Sequence, residues 1–410
     1  MSLDTGDTGF MLIATALVMI MTPGLAFFYG GLVSRKNVLS VMMQSYVSMG
    51  VTTILWVTVG YSLCFSGDAL FGIIGNLDKA FLIGIGPSDL YGGAEGTMPL
   101  LVFVVYQMMF AIITPALITG AFVDRITFKA YLVFLVAWQL FVYFPFVHMI
   151  WGGGMLADGG IFGDVGVKDF AGGIVVHTLA GMAALASVIY VGKREVQDTG
   201  AHNVPFVALG AALLWFGWFG FNAGSELAVD GVTAVAFINT QIAAAFAAIT
   251  WLLLAWYTDD KPSFVELLIG MIAGLATITP AAGFVTPQSA MIIGVAAGLV
   301  CYYAVVFRKK KKLDDALDVW GVHGVGGALG IVLLGVLANK NIGGYDGLYH
   351  GNSDFFLVQL GGLAIACIWA FAFTYGMLML IDKATPVKVT DADEQADIDM
   401  VLHGESAYTE

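Results

Sequence analysis

The stretch Asp169–Gly181, DFAGGIVVHTLAG, is apolar except for an acid at its head and His177 eight residues later. Asp315–Gly327, DALDVWGVHGVGG, repeats the layout, with His323 eight residues after Asp315. Each histidine is followed four residues later by a glycine, Gly181 or Gly327. Eight helical residues rise ~12 Å. If each acid marks a bilayer surface, each imidazole stops just short of the middle of a hydrocarbon core ~30 Å thick. Ionisable groups at that depth are costly and mark pathways or proton relays.

The surrounding composition supports a membrane setting. Of 410 residues, 59% are hydrophobic and 11% charged, with a mean hydropathy of +0.86. Uncharged apolar runs occur near 9–33, 38–65, 98–123, 130–151, 170–192, 203–222, 231–257, 262–280, 287–307, 319–338 and 355–381, which predicts an all-α polytopic membrane protein with eleven transmembrane helices. The fifty-two glycines suit a compact bundle, because small residues let helix backbones approach closely in lipid. Cys64, Cys301 and Cys367 lie inside apolar runs without metal-ligand or redox spacing. The N-terminal MSLDTGDTGF lacks the basic region and cleavage site of a signal peptide, so the first helix is expected to persist in the mature protein.

An odd helix count puts the termini on opposite sides. Fourteen basic residues fall in one set of connections, including Arg35, Arg125, Arg194 and the run Arg308–Lys312, and three, Lys79, Lys168 and Lys340, in the other. Because short cytoplasmic loops collect Lys and Arg, the N-terminus is expected outside and the C-terminus inside, with no basic residue within a helix. The outer connections are acidic, with Asp68, Asp78, Asp89 and Glu95 in one and Asp158, Asp164 and Asp169 in another. Such a mouth concentrates cations, although solvation alone accounts for any single acid. The tail, Thr390–Glu410, is acidic and polar, and is expected to be flexible unless a partner or the inner face orders it.

The two histidine stretches lie five helices apart. The second block of five therefore crosses in the opposite sense, which is the pattern of an inverted repeat, about 9–192 and 203–338, with the run at 355–381 bracing the bundle. Inverted repeats place transport sites at their shared interface.

A lone histidine such as His148 reads first as a satisfied polar group between helices. His177 and His323 read differently, since two ionisable groups at matched depth are improbable as packing. Two neutral imidazoles sharing a proton could line a narrow path for small hydrogen-bonding solutes. Two histidines without Cys, Asp or Glu at the same depth make a poor zinc or iron site, and haem would need a wider slot, so no metal or cofactor is expected. Asp169 can cap its helix or stabilise an arriving cation, and Asp315 is expected to cap the tenth helix in the same way. At the outer ends stand Phe110 in YQMMFA, Trp151 in HMIWGGG, and Trp218 and Phe221 in GWFGFNAGS. They can form an interfacial belt or, with the Ser225 hydroxyl, an aromatic cage for a compact cation.

The motifs TPGLAFFYGGLVSRKNVLS (Thr22–Ser40), YQMMFA, HMIWGGG, DFAGGIVVH, WFGFNAGS, DVWGVHGVGG and the tail HGESAY closely resemble those of the ammonium transporters of the Amt/MEP/Rh superfamily, on the Amt side. The resemblance covers essentially the whole chain. It implies a homotrimer of eleven-helix protomers, each with its own pore, in the cell membrane of a prokaryote, with neither enzyme activity nor a nucleic-acid partner. It further implies an outer recruitment site for ammonium or methylammonium formed by Trp151, Phe110 and Ser225 and supported by Asp169. Phe110 and Phe221 would form the gate, with His177 and His323 the twin histidines of a hydrophobic pore. Ammonium would be selected as the cation, lose its proton and cross as ammonia, and the preferred reading adds net proton or charge transfer. The segment 1–389 would be the transporter domain and 390–410 a cytoplasmic regulatory tail on which PII signal proteins dock. Two departures, Met108 with Met109 and Glu226 after Ser225, are expected to change the width and charge of the outer mouth.

Two alternatives carry different readouts. An electroneutral ammonia or gas channel would use the same helices without current. An ammonium sensor would signal through its tail to a PII-type partner, because the residues after Thr390 are too few to fold into a signalling domain.

Overall fold

The computed structural model describes residues 3–195 and 200–408, and its regular structure is helical. Among the described residues, ten helices are long and apolar enough to cross a membrane: α1 (Thr5–Leu32), α2 (Val38–Phe65), α3 (Leu100–Phe122), α4 (Phe128–Trp151), α5 (Gly173–Val191), α6 (Val204–Glu226), α7 (Gly231–Asp259), α9 (Pro287–Lys310), α10 (Trp320–Leu337) and α11 (Ser353–Asp382). Between them, α8 (Phe264–Ile278) is apolar but shorter. Each element coincides with one of the eleven apolar runs. Fifteen residues extend only ~22 Å, so α8 reaches part of the way across a ~30 Å core before the chain turns at Thr279–Pro280.

Polar caps fix where helices begin. Asp4 accepts from the Gly6 and Asp7 amides, Thr127 from Ala130, Ser263 from Glu266, Thr286 from Ser289 and Asn352 from Phe355, while Asp230 and Thr233 form a reciprocal capping box. Helix α1 packs along α6, α7 is flanked by α8 and α9, and α5 crosses α10 at the centre. Helix α11 lies against α4, α5 and α10.

Four of these helices contain a π turn, at Trp56–Gly60, Gln139–Tyr143, Gly173–Thr178 and Trp320–Gly324. The last two carry the histidines. The acid-to-histidine interval is therefore not the uninterrupted α-helix that the ~12 Å rise assumed. Asp169–Gly172 forms a cap, with Gly172 at φ 112°, and the π turn follows it. In the second stretch Asp318 turns the chain at φ 58° just before its π turn.

The expectation that no basic residue falls within a helix does not hold. Lys129 lies in the first turn of α4, Arg308, Lys309 and Lys310 in the last turn of α9, and Lys340 in a short helical turn, Lys340–Gly343. Helix α9 outruns its apolar stretch because cations at a helix C-terminus meet the negative end of the dipole.

The tail is ordered by the face it lies on, the second of the two outcomes expected for it. Residues Asp391–Gln395 and Ile398–His403 form two short helices, α12 and α13. Buried Asp399 accepts from the amides of Leu39 and Ser40 at 2.9 and 2.7 Å and from the Ser40 hydroxyl at 2.7 Å, which caps α2 from a remote part of the chain. Tyr408 Oη meets His202 Nε2 at 2.9 Å.

Candidate functional site

The local sequence explains why α5 and α10 can cross so closely. A Cβ added to Gly181 would lie 2.1 Å from the Gly324 backbone, and one added to Gly327 would lie 2.6 Å from the Gly173 carbonyl oxygen and 2.9 Å from His177 Cβ. The glycine four residues after each histidine is therefore the point at which that helix meets the other histidine's helix. This crossing brings His177 and His323 together, with Nδ1 to Nδ1 at 3.2 Å, ring centres 5.2 Å apart and planes 17° from parallel. Both rings are buried. At that separation one Nδ1 can donate to the other, with the roles set by the tautomers of the two rings. Nε2 of His177 is buried without a hydrogen-bond partner among the described residues.

Above the pair the aromatic side chains form a stack. Phe221 lies 6.0 Å from His177 and 27° from parallel, and Phe110 lies 4.3 Å from Phe221. Trp218, grouped by sequence with the outer aromatics, instead sits at the level of the histidines. Its ring stacks on His177 at 5.4 Å, and its indole N–H donates to Thr279 Oγ1 at 2.9 Å. The helical register explains this correction, because Trp218 is nearly one turn before Phe221 and the two rings point down the same face. The space beside His177, His323, Trp218 and Phe221 is only about 10 Å³, about the minimum that one water molecule requires.

Phe110 also forms part of the floor of a vestibule of about 490 Å³, whose lining includes Trp151, Asp169, Ser225 and Glu226. Trp151 stands edge-on to Phe110, with ring centres 6.3 Å apart, and its indole N–H donates to the Asp169 carbonyl at 2.9 Å. The Ser225 hydroxyl donates to the Phe221 carbonyl at 2.8 Å, which commits its proton and leaves lone pairs to accept from a ligand. Tyr106 Oη, placed by the carbonyls of Gly220 and Phe221 at 2.9 Å, lies 3.2 Å from Ser225 Oγ. No separate signal in the sequence marks Tyr106, since a buried tyrosine one turn from Phe110 reads equally as packing.

Asp169 caps α5 fully. Oδ1 accepts from Gly172 and Gly173 at 2.9 and 2.6 Å, and Oδ2 from Ile174 and Val175 at 2.7 and 3.0 Å. Four amide donors hold its charge at the head of the helix that bears His177. Asp315 caps its own helix only in part: Oδ2 accepts from the Trp320 amide at 2.7 Å, and Oδ1 is buried without a partner among the described residues. Burial, reinforced by the Asp318 carboxylate, pushes Asp315 up to about 6 against the pull of Arg308 and the amides of Val319 and Trp320.

The methionine departure is not seen at the mouth. Met108 and Met109 are buried and are not part of the vestibule wall, whereas Gln107 and Phe110 are. Gln107 and Phe110 are three residues apart and share a face of α3, from which Met108 and Met109 are turned by about 100° per residue. Glu226 does line it. His148 is packed as a structural histidine, with Nδ1 3.0 Å from the Cys64 carbonyl and Nε2 3.8 Å from Asp68.

Comparison with known proteins agrees with this architecture. Residues 9–408 match the family described as the Ammonium Transporter Family. The ammonium transporter Amt1 of Archaeoglobus fulgidus is 42% identical over 99% of this chain and all of its own length, and an ammonium transporter of Bacillus subtilis is 43% identical over 99% of both. Among solved structures, Mep2 of Candida albicans superposes with a TM-score of 0.88 at 32% identity, covering 99% of this chain and 90% of Mep2. A solved sensor Amt protein superposes with a TM-score of 0.85 at 28% identity, covering 95% of this chain and 96% of that one. The curated relatives are named as transporters rather than enzymes, and the apolar spans make the chain a multi-pass protein of the cell membrane. The chain belongs to the ammonium transporter family.

Proposed function

We propose that the protein takes up ammonium or methylammonium through a pore within each protomer, with net movement of charge. The observation that carries this reading is the continuous line from vestibule to paired imidazoles: Trp151 and Ser225, then Phe110 over Phe221, then His177 against His323. In the vestibule a compact cation meets the π faces of Trp151 and Phe110 and the free lone pairs of Ser225. Below the phenylalanines the walls are apolar, and a desolvated cation there costs several kcal/mol that neutral ammonia avoids. Deprotonation above the gate is therefore the low-energy course. The shared Nδ1 proton keeps the histidine pair neutral while giving ammonia a donor and an acceptor, and it offers the released proton a relay. Asp169 acts through position, holding the head of α5 and the Trp151 indole.

The proposal extends to the whole molecule. The eleven apolar elements, with α8 completing the set, form two inverted five-helix repeats plus α11, with the N-terminus outside and the docked C-terminal tail inside. The close α5–α10 crossing supports the repeat, and the positions of the basic residues support the orientation. Family membership supports a homotrimer, and the tail ordered against α2 supports a regulatory surface for a PII-type protein.

The test is an ammonium jump at fixed pH on purified protein in a solid-supported bilayer. The reading expects a saturable current that methylammonium also elicits. Ammonia flux reported by an internal pH dye without current would make the protein an electroneutral channel. Ligand binding with neither signal would favour a sensor, the role for which one structurally similar protein is named.

A further inference from the structure

Among the described residues, four charged side chains line the vestibule: Asp158, Lys168, Asp169 and Glu226. Lys168 Nζ lies 2.6 Å from Asp158 Oδ1 and over the Tyr345 ring at 4.7 Å, so these two charges neutralise each other. The four helix amides hold the charge of Asp169. Glu226 is left. Among the described residues its carboxylate has no hydrogen-bond donor and no basic partner, and it is half-buried beside Ser225.

The backbone holds it there firmly. Gly224–Glu226 forms a tight 3₁₀ turn at the end of α6, and Leu227 reverses the chain at φ 62°. The Val229 amide donates to Asp7 Oδ1 at 2.8 Å, and Asp230 then caps α7. The turn thus places an uncompensated carboxylate next to Ser225 in the lining of an aromatic-lined cavity that Trp151 also lines. Unpaired carboxylates in an apolar-walled cleft focus field into it and raise the local cation concentration.

We infer that Glu226 is a specificity-determining residue of the outer mouth, one that attracts small hydrogen-bond-donating monovalent cations to the aromatic site and sets their apparent affinity. The inference rests on the transport reading above. A carboxylate beside the cage adds an anionic acceptor to a cation–π site, which favours cations that carry N–H donors over alkali ions of similar size. Its contribution falls as salt screens it.

The experiment measures ammonium-induced current against ammonium concentration at mildly alkaline pH, at low and high ionic strength, for the wild type, Glu226→Gln and Glu226→Asp. Asp354→Asn, an exposed acid at the start of α11, serves as a remote control. Glu226→Gln is expected to raise the half-saturating concentration roughly three- to five-fold at low salt, as for a partly exposed charge pair, with maximal current retained. The wild-type half-saturation rises with salt, and most of that dependence is lost in Glu226→Gln. Glu226→Asp recovers part of it, and Asp354→Asn matches the wild type. Equal half-saturation and equal salt dependence in Glu226→Gln and the wild type would overturn the role of Glu226. An equal shift in Asp354→Asn would overturn it too, by reducing the effect to overall surface charge. Absence of current in the wild type would instead refute the transport reading itself.

Discussion

At the scale of single residues, the vestibule and the N-terminal end of α10 make separable predictions. Trp151, to which the proposal gives the cation–π face, braces the vestibule through its bond to the Asp169 carbonyl. Trp151→Leu should therefore raise the half-saturating ammonium concentration more than it lowers maximal flux, by a factor of about five for a cation–π contact of about 1 kcal/mol. An unchanged concentration dependence would remove Trp151 from the site. Asp315 predicts a pH dependence of stability. A carboxyl group raised in the folded state to about 6 favours the fold while protonated, so its contribution is full at acid pH and is lost as pH rises through about 6. The difference from an ordinary carboxyl corresponds to on the order of 3 kcal/mol. Thermal unfolding of solubilised protein should show Asp315→Asn gaining stability over the wild type between mildly acid and neutral pH. A constant difference across that range would contradict this.

At the scale of elements, the eleven apolar runs and the histidine pairing were legible in the sequence because lipid demands length and because the D-x7-H layout occurs twice. The π turns were not. A run such as GIVVHT has the same composition whether it winds as α or π, and the choice is made by the Asp169 cap and by backbone contact with the neighbouring helix. Trp218 was misplaced for a related reason, since interfacial and midplane aromatics look alike without register. Glycines separate the two levels more sharply. Gly181→Ala should destabilise the protein by about 1–3 kcal/mol, because the new methyl group meets backbone that cannot move aside. Gly50→Ala in α2, where nothing lies within 4 Å, should be neutral or slightly stabilising. Equal melting temperatures for the two variants would refute the packing argument. In the tail, Asp399→Ala removes the acceptor for the Leu39 and Ser40 amides. Hydrogen exchange should then speed up over 391–408 and the first turn of α2 while α5 and α10 stay protected.

At the scale of the whole molecule, the fold brings an acidic, aromatic vestibule and a narrow, apolar-walled centre into line. In the proposed reading the vestibule recruits the cation and the centre passes only neutral ammonia. Between them stand the paired imidazoles of His177 and His323, to which the proposal assigns the proton relay. The most direct measurement is the ammonium-jump current in bilayers containing wild type, His177→Ala or His323→Ala, recorded with an internal pH dye and with potassium as a competing ion. The account predicts a saturable, ammonium-selective wild-type current, with intact variants that lose the current or its selectivity over potassium. Variants that remain folded, with current and selectivity equal to the wild type, would contradict the placing of the histidines on the path.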